Sequence, residues 1–225
     1  MMIPVWFSLL AALFLVVLFP LLFGEVMATS LVKLHLSPQT ALALLVGIIA
    51  GGLVNIPVKR TRRTAVIEVH PLATFGVHDL WPQLRRVRRD VIVAVNVGGC
   101  LIPTGLAIYE VLWLYRADPR LLWAVGVASI VNVAICYRLA QPVPRVGIAL
   151  PGLVPALVAA ALALVLAPEQ APAVAYVAGV AGPLIGADLL HLKDIERVAV
   201  GVLSIGGAGT FDGIVLSGIV AAYLA

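Results

Sequence analysis

The stretch Ser204–Ala225, SIGGAGTFDGIVLSGIVAAYLA, decides how the chain is read. It sets Gly206, Gly207, Ala208 and Gly209, and then the acid Asp212, inside a run that otherwise has the composition of a membrane helix. Glycine costs about 1 kcal/mol relative to alanine in a helix interior. A carboxylate at mid-bilayer costs roughly 2.5–3.5 kcal/mol even on insertion scales. A segment whose only task is to cross lipid has no use for either. Upstream, Gly186-Ala187-Asp188 repeats the theme of small residues followed by an acid at the end of an apolar run. The reading is therefore organised around Asp188 and Asp212.

Composition sets the class. The 225 residues are 62% hydrophobic and 12% charged, with a mean hydropathy of +1.11. Soluble domains carry about 25% charged residues. Half that share, with long apolar runs, implies an integral membrane protein. The net charge of +4 is no nucleic-acid signal, because the basic residues lie in loops between apolar runs. Cys100 and Cys136 both sit in apolar runs and are expected to pack, forming neither a disulfide framework nor a metal motif. There is no P-loop, dinucleotide fingerprint or Cys/His cluster, so neither cofactor nor metal is expected. His70, His78, Asp79 and His191 match no ligand spacing.

The expected fold is all-α. It is a single membrane domain over 1–225 with about seven transmembrane helices, several broken by Gly or Pro. The expected spans are Ile3–Phe23, Ala41–Val54, Val91–Tyr115, Pro119–Tyr137, Val146–Ala167, Ala173–Leu192 and Val198–Ala225. The first lacks a preceding Lys or Arg and is too long for a signal-peptide core, so it is read as a retained helix. Glu25–Ser37 reads as a loop, and Val58–Asp90 as a long basic one holding a short strand at Ala65–His70. Glu110, among Tyr109, Trp113 and Tyr115, reads as a residue reaching for the membrane interface.

Charge sets the expected orientation. Lys59, Arg60, Arg62, Arg63, Arg85, Arg86, Arg88 and Arg89 follow the second span, Arg138 and Arg145 the fourth, and Lys193 and Arg197 the sixth. Only Lys33, Arg116 and Arg120 fall in the other loops. The positive-inside rule then makes 58–90 cytoplasmic, in a plasma (inner) membrane, with the N-terminus inside and the C-terminus outside. The basic loop is a candidate for contact with anionic lipid headgroups.

With that orientation Asn55, Asn96, Asn132 and Asp188 fall at related depths on four helices. Asp212 joins them if the last segment turns at Gly206, Gly207 and Gly209. Each Asn alone is interhelical glue; five polar groups together describe a water-accessible cavity. The acids are unequal. Thr210 can cap a half-helix beginning near Asp212, where the dipole favours an anion, whereas Asp188 lies near the end of an apolar helix. Unequal carboxylates sharing a proton serve both aspartyl hydrolases and proton-coupled transporters.

VNIPV (Val54–Val58), NVGGCLIP (Asn96–Pro103), AYVAGVAGPLIGADLLHL (Ala175–Leu192) and SIGGAGTFDGIVLSGI (Ser204–Ile219) resemble a prokaryotic membrane-protein family catalogued as a domain of unknown function, family number 1614. The resemblance covers most of the chain from Gly47 and implies a small polytopic membrane protein with no assigned activity. The site residues also resemble, more distantly, the intramembrane aspartyl proteases of the presenilin and signal-peptide-peptidase type. Phe211-Asp212 is similar to their aromatic-Asp pair and Pro155-Ala156-Leu157 to their Pro-Ala-Leu. Gly186-Ala187-Asp188 is similar to their Gly-x-Gly-Asp, with Ile185 at the first glycine. The motif order is reversed.

Three function classes stay open: an intramembrane aspartyl-type hydrolase, a proton- or cation-coupled transporter or channel, and a non-catalytic membrane scaffold. In the first, Asp188 and Asp212 are catalytic and Asn55, Asn96, Asn132, Gly206, Gly207 and Gly209 bind. The partners are membrane lipids with a membrane peptide or a small solute; substrate and oligomeric state are not legible.

The charge asymmetry carries a test. A cysteine at Gln83, with Cys100 and Cys136 replaced by Ala, is expected to resist an impermeant thiol reagent added to intact cells and to react after permeabilisation. Labelling in intact cells overturns the orientation.

Overall fold

Three helical starts, at Ser37, Asn96 and Asp212, are set by a side chain that accepts a backbone N–H which the helix leaves unpaired. The computed structural model describes residues 19–66, 86–143, 147–194, 202–208 and 212–225. Helix α1 (Phe19–Lys33) is followed by a short turn and α2 (Pro38–Gly51). Ser37 caps α2 by accepting from the Thr40 N–H at 3.2 Å, and Pro38 is preset for its first turn. The expected loop at Glu25–Ser37 is thus mostly helix. Met27, Ser30, Leu31 and Leu34 are buried, at the i, i+3, i+4, i+7 spacing of one helix face.

The expected all-α fold needs correction, since a mostly helical chain here also carries sheet. Strands β1 (Asn55–Val66) and β2 (Arg86–Asn96) form a long antiparallel ladder from Asn55↔Asn96 to Val66↔Arg86. Val91, Ile92, Val93 and Val95 are β-branched residues, stiff at χ1 and suited to a pleated sheet. They extend the apolar composition of the following helix without sharing its geometry. The residue range 67–85 lies outside the described residues, and with it most of the expected strand at Ala65–His70.

After β2 the chain makes one π-helical turn, Val97–Leu101, and continues as α3 (Ile102–Ala117). Helix α4 (Leu121–Leu139) follows, then a small hairpin of β3 (Gln141–Val143) and β4 (Gly147–Ala149). Helix α5 (Val154–Leu166) begins only after Pro151-Gly152. A 3-10 turn at Pro168–Gln170 leads into α6 (Ala171–Ala181), which changes to π-helix over Gly182–Leu189. Strand β5 (Val202–Ile205) then joins the first sheet in the order β1-β2-β5, and α7 (Gly213–Leu224) closes the chain.

Three helical stretches are long and apolar enough to cross a membrane: Val97–Ala117, Leu121–Leu139 and Pro168–Leu189. Pro38–Gly51, Val154–Leu166 and Gly213–Leu224 are apolar but shorter. Among the described residues, these replace the row of full-length spans expected from hydropathy. The third expected span starts as strand, the fifth loses its first turns to a hairpin, and the seventh is a strand, a turn and a short helix. Most of the first expected span lies outside the described residues.

Helix α6 is the hub, buried continuously from Ala173 to Val180. Its neighbours approach on small residues: Ala156, Ala159, Ala160 and Ala163 of α5 are all buried, and small residues let helix backbones come close. A methyl on Gly179 would stand 2.7 Å from the Ser217 carbonyl oxygen and 3.0 Å from the Gly218 Cα on α7. Gly179→Ala is therefore expected to destabilise the protein by about 1–3 kcal/mol through overpacking. Gly105 on α3 meets nothing within 4 Å, so Gly105→Ala is expected to stabilise by about 0.5–1 kcal/mol. Denaturant unfolding in detergent micelles reads both; equal effects would contradict the close α6–α7 contact.

Candidate functional site

The site grows from one pairing. Strands β2 and β5 run parallel, with Ile92↔Val202 to Val95↔Ile205 in register. Parallel strands leave a sheet in the same direction. Both chains therefore enter helices side by side, β2 through Asn96 into the π turn and α3, β5 through Gly206 and Asp212 into α7.

Asn96 is fully buried and holds the first crossing. Its Oδ1 accepts the Gly99 N–H at 2.7 Å, and its Nδ2 donates to the Gly52 carbonyl at 2.8 Å and to Asn55 Oδ1 at 3.1 Å. Ser204 of β5 donates its hydroxyl to the same Asn55 oxygen. Asn55, Asn96 and Ser204 thus tie all three strands at the end where the helices begin. Asn96 is a helix cap and not, as expected, a residue two turns inside a helix.

The second crossing needs glycine. Gly206 has φ of +73°, and a Cβ there would lie 2.6 Å from the Gly99 carbonyl carbon and 2.8 Å from Cys100 N. The turn thereby presses against the start of the other helix. Gly207 donates its N–H to the Ser204 carbonyl at 3.1 Å and is itself exposed. Gly209, Thr210 and Phe211 lie outside the described residues.

Asp212 caps α7. Its Oδ1 accepts from Ile214 N at 3.0 Å and its Oδ2 from Ala208 N at 3.4 Å. The cap is Asp212 itself and not the expected Thr210; the dipole favours a negative charge there. Asp188 sits in the π-helical segment after α6, half-buried. It lies close enough to Asp212 to feel its charge. No described residue hydrogen-bonds the Asp188 carboxylate. The Cys100 thiol, in the other π turn, is within electrostatic reach of both acids. Both π segments, of a kind that recurs at functional sites, pack against α7.

Asn132 does not join this group. It is buried in α4 and donates to the Ala178 carbonyl at 2.8 Å, more than two turns before Asp188. It stands against Gly182, where a Cβ would meet its amide, so it is glue between α4 and α6. His191 donates to the Gly186 carbonyl at 3.0 Å and tilts against Tyr137. His70, His78 and Asp79 lie outside the described residues, among which no three His, Cys, Asp or Glu gather as metal ligands.

The sequence reading missed Cys100 and Ser204. Their place depends on a pairing between strands more than a hundred residues apart, which no local pattern reports. Glu110 also differs from expectation: it is fully buried and bonded to His35. Its partner lies in a turn far back in the chain.

Removing the Asn96 amide leaves the Gly99 N–H and the Gly52 carbonyl without partners. Asn96→Ala is expected to destabilise by about 2–3 kcal/mol, and Asn55→Ala, at an exposed residue, by clearly less. Unfolding midpoints of the two variants measure this; an Asn96→Ala effect no larger than that of Asn55→Ala would refute the role of Asn96 at the crossing.

No curated protein and no solved structure matches the chain. A family model described as protein of unknown function (DUF1614) matches residues 49–224. That range begins at the end of α2 and contains both strand-to-helix crossings and both acids, and the chain belongs to the DUF1614 family.

Proposed function

We propose that the protein is a multi-pass plasma-membrane protein whose Asp188 and Asp212 form an aspartyl-type hydrolase site within the membrane. The observation that carries the reading is the unequal bonding of two carboxylates in each other's field. Asp212 accepts two backbone N–H groups at a helix start, whereas Asp188 has no hydrogen bond from a described residue. In this reading Asp212 is the base and takes a proton from a water whose oxygen attacks a carbonyl carbon. Asp188 is the acid and gives its proton to the carbonyl oxygen. The tetrahedral intermediate then collapses: Asp212 gives the proton it took to the leaving amine as the carbon–nitrogen bond breaks, and Asp188 recovers a proton from a hydroxyl of the intermediate. General acid–base catalysis of this kind contributes about 10²–10⁴-fold. The substrate class that fits is a membrane peptide.

A second reading, proton- or cation-coupled movement of a small solute, draws on another observation. Helices α2, α5 and α7 are too short to be counted as spans, and two helix N-termini meet where Gly206 presses on Gly99 and Cys100. Discontinuous helices whose ends converge are a common transporter device.

Asp188→Asn and Asp212→Asn are each expected to lower activity at least about 100-fold without loss of fold. The double variant is expected to be no worse than either single one, since the two act as a unit. Assays of peptide cleavage and of proton-dependent solute flux, run in parallel on reconstituted protein, separate the readings. Wild-type activity retained in either single variant sinks the two-aspartate site; neither cleavage nor flux in the wild-type protein leaves the membrane-scaffold reading.

A further inference from the structure

We propose that the outward face of α4 binds one anionic phospholipid, with Arg138 on its phosphate and an apolar groove below Arg138 on an acyl chain. The inference rests on α4 crossing a bilayer and is independent of the two aspartates.

The site follows from the make-up of the helix. Helix α4 has 19 residues, or about 28 Å of rise, close to the ~30 Å of a bilayer's hydrocarbon core. Its two ends therefore fall at the two interfaces. Arg120 stands just before its first residue and Arg138 in its last turn, with no charged residue between them. Trp123 and Tyr137, one near each end, are exposed, and such rings sit at headgroup level. Arg138 shares a groove of about 490 Å³ with Ile130, Val131, Ala134, Ile135 and Leu139. Their spacing puts them on one face of the helix. Ile130 is 70% exposed and lies about 12 Å along the axis from Arg138. Ala134, small among larger neighbours, leaves the hollow. The groove thus has a cationic end at headgroup level and an apolar length at acyl depth.

Charge selects the occupant. Among the described residues, none forms an ion pair with Arg138. The turn after α6 reaches the same end of α4, where His191 tilts against Tyr137. In that turn Lys193 is exposed and Asp194 is already engaged. The arginine fork matches phosphate oxygens, and basic residues at the end of a span attract anionic lipid. A second copy of the chain fits this face poorly. A two-fold axis along the membrane normal would set Arg138 against its own counterpart at the same depth. A phospholipid supplies both an anion for the guanidinium and a chain for the groove, in the right order along the helix.

Native mass spectrometry of the detergent-purified protein tests this, with phosphatidylglycerol or phosphatidylcholine of the same acyl chains added. One phosphatidylglycerol is expected to be retained at least about fivefold more tightly than phosphatidylcholine. Arg138→Gln is expected to remove that preference and Arg138→Lys to keep most of it. Ala134→Trp, which fills the groove, is expected to weaken retention of both lipids. Arg120→Gln, at the other end of α4, is expected to change neither, and glycerol 3-phosphate is expected not to compete. Arg138 and Ala134 are exposed, so these variants leave the core intact; if Ala134→Trp does not fold, the two Arg→Gln variants still decide. An unchanged preference in Arg138→Gln, an equal loss in Arg120→Gln, or unchanged retention in folded Ala134→Trp overturns the proposal. So does competition by glycerol 3-phosphate, or a two-chain mass in place of the bound lipid. Release of the protein from alkali-washed membranes would sink the bilayer premise itself, whereas the other outcomes sink only the lipid site.

Discussion

The parallel pairing of β2 with β5 is the interaction on which the rest depends. It is short, from Ile92↔Val202 to Val95↔Ile205, yet it joins segments that are distant in the chain. Extended backbone buried among apolar side chains must have its N–H and C=O groups paired within the protein. Parallel strands satisfy that demand and send both chains the same way. Two helix N-termini are thereby placed side by side, each closed by a polar cap, Asn96 on one and Asp212 on the other. Without the pairing, Asp212 would cap an isolated helix, and Cys100 would have no acid beside it.

The packing behind the sheet makes this arrangement rigid. Helix α6 is buried along its length and is met by α3, α4, α5 and α7. The helices approach on Ala and Gly; an added carbon at Gly179 meets the backbone of α7, and one at the Gly206 turn meets the backbone of the π turn before α3. Asn132 fixes α4 to α6 just before the chain turns π-helical. Asp188 is carried on that π segment, so its position follows from the α4–α6 contact and that of Asp212 from the strand pairing. Each acid is thus placed by a separate part of the fold. The His35–Glu110 contact joins the turn after α1 to the middle of α3.

Much of the helical framework was legible because α3, α4 and α6 are long apolar runs, and the break before α7 was legible because Gly206 and Gly207 have no place in a helix interior. The strands were not. Val91–Asn96 is apolar and runs directly into the apolar start of α3, so hydropathy merges two geometries that only β-branching separates. Helix α1 was cut short because Glu25 and Ser30 are polar, although Met27, Leu31 and Leu34 keep a helical spacing. At the candidate site the acids were legible as costly residues in apolar runs. Asn96 was placed among the polar groups but at the wrong depth, because its depth follows from a strand the sequence did not show. Cys100 and the Glu110 partner were invisible for one reason: each depends on a contact between distant segments.

We propose that Asp188 and Asp212 share one site at the meeting of two helix starts. An experimental structure of the protein in a lipid bilayer would measure the separation of the two carboxyl groups. The expected separation is below about 10 Å, the range over which charges remain coupled at ordinary salt, with water between them. Carboxyl groups farther apart than this, with Asp188 turned to lipid or bonded to a loop cation, would contradict it.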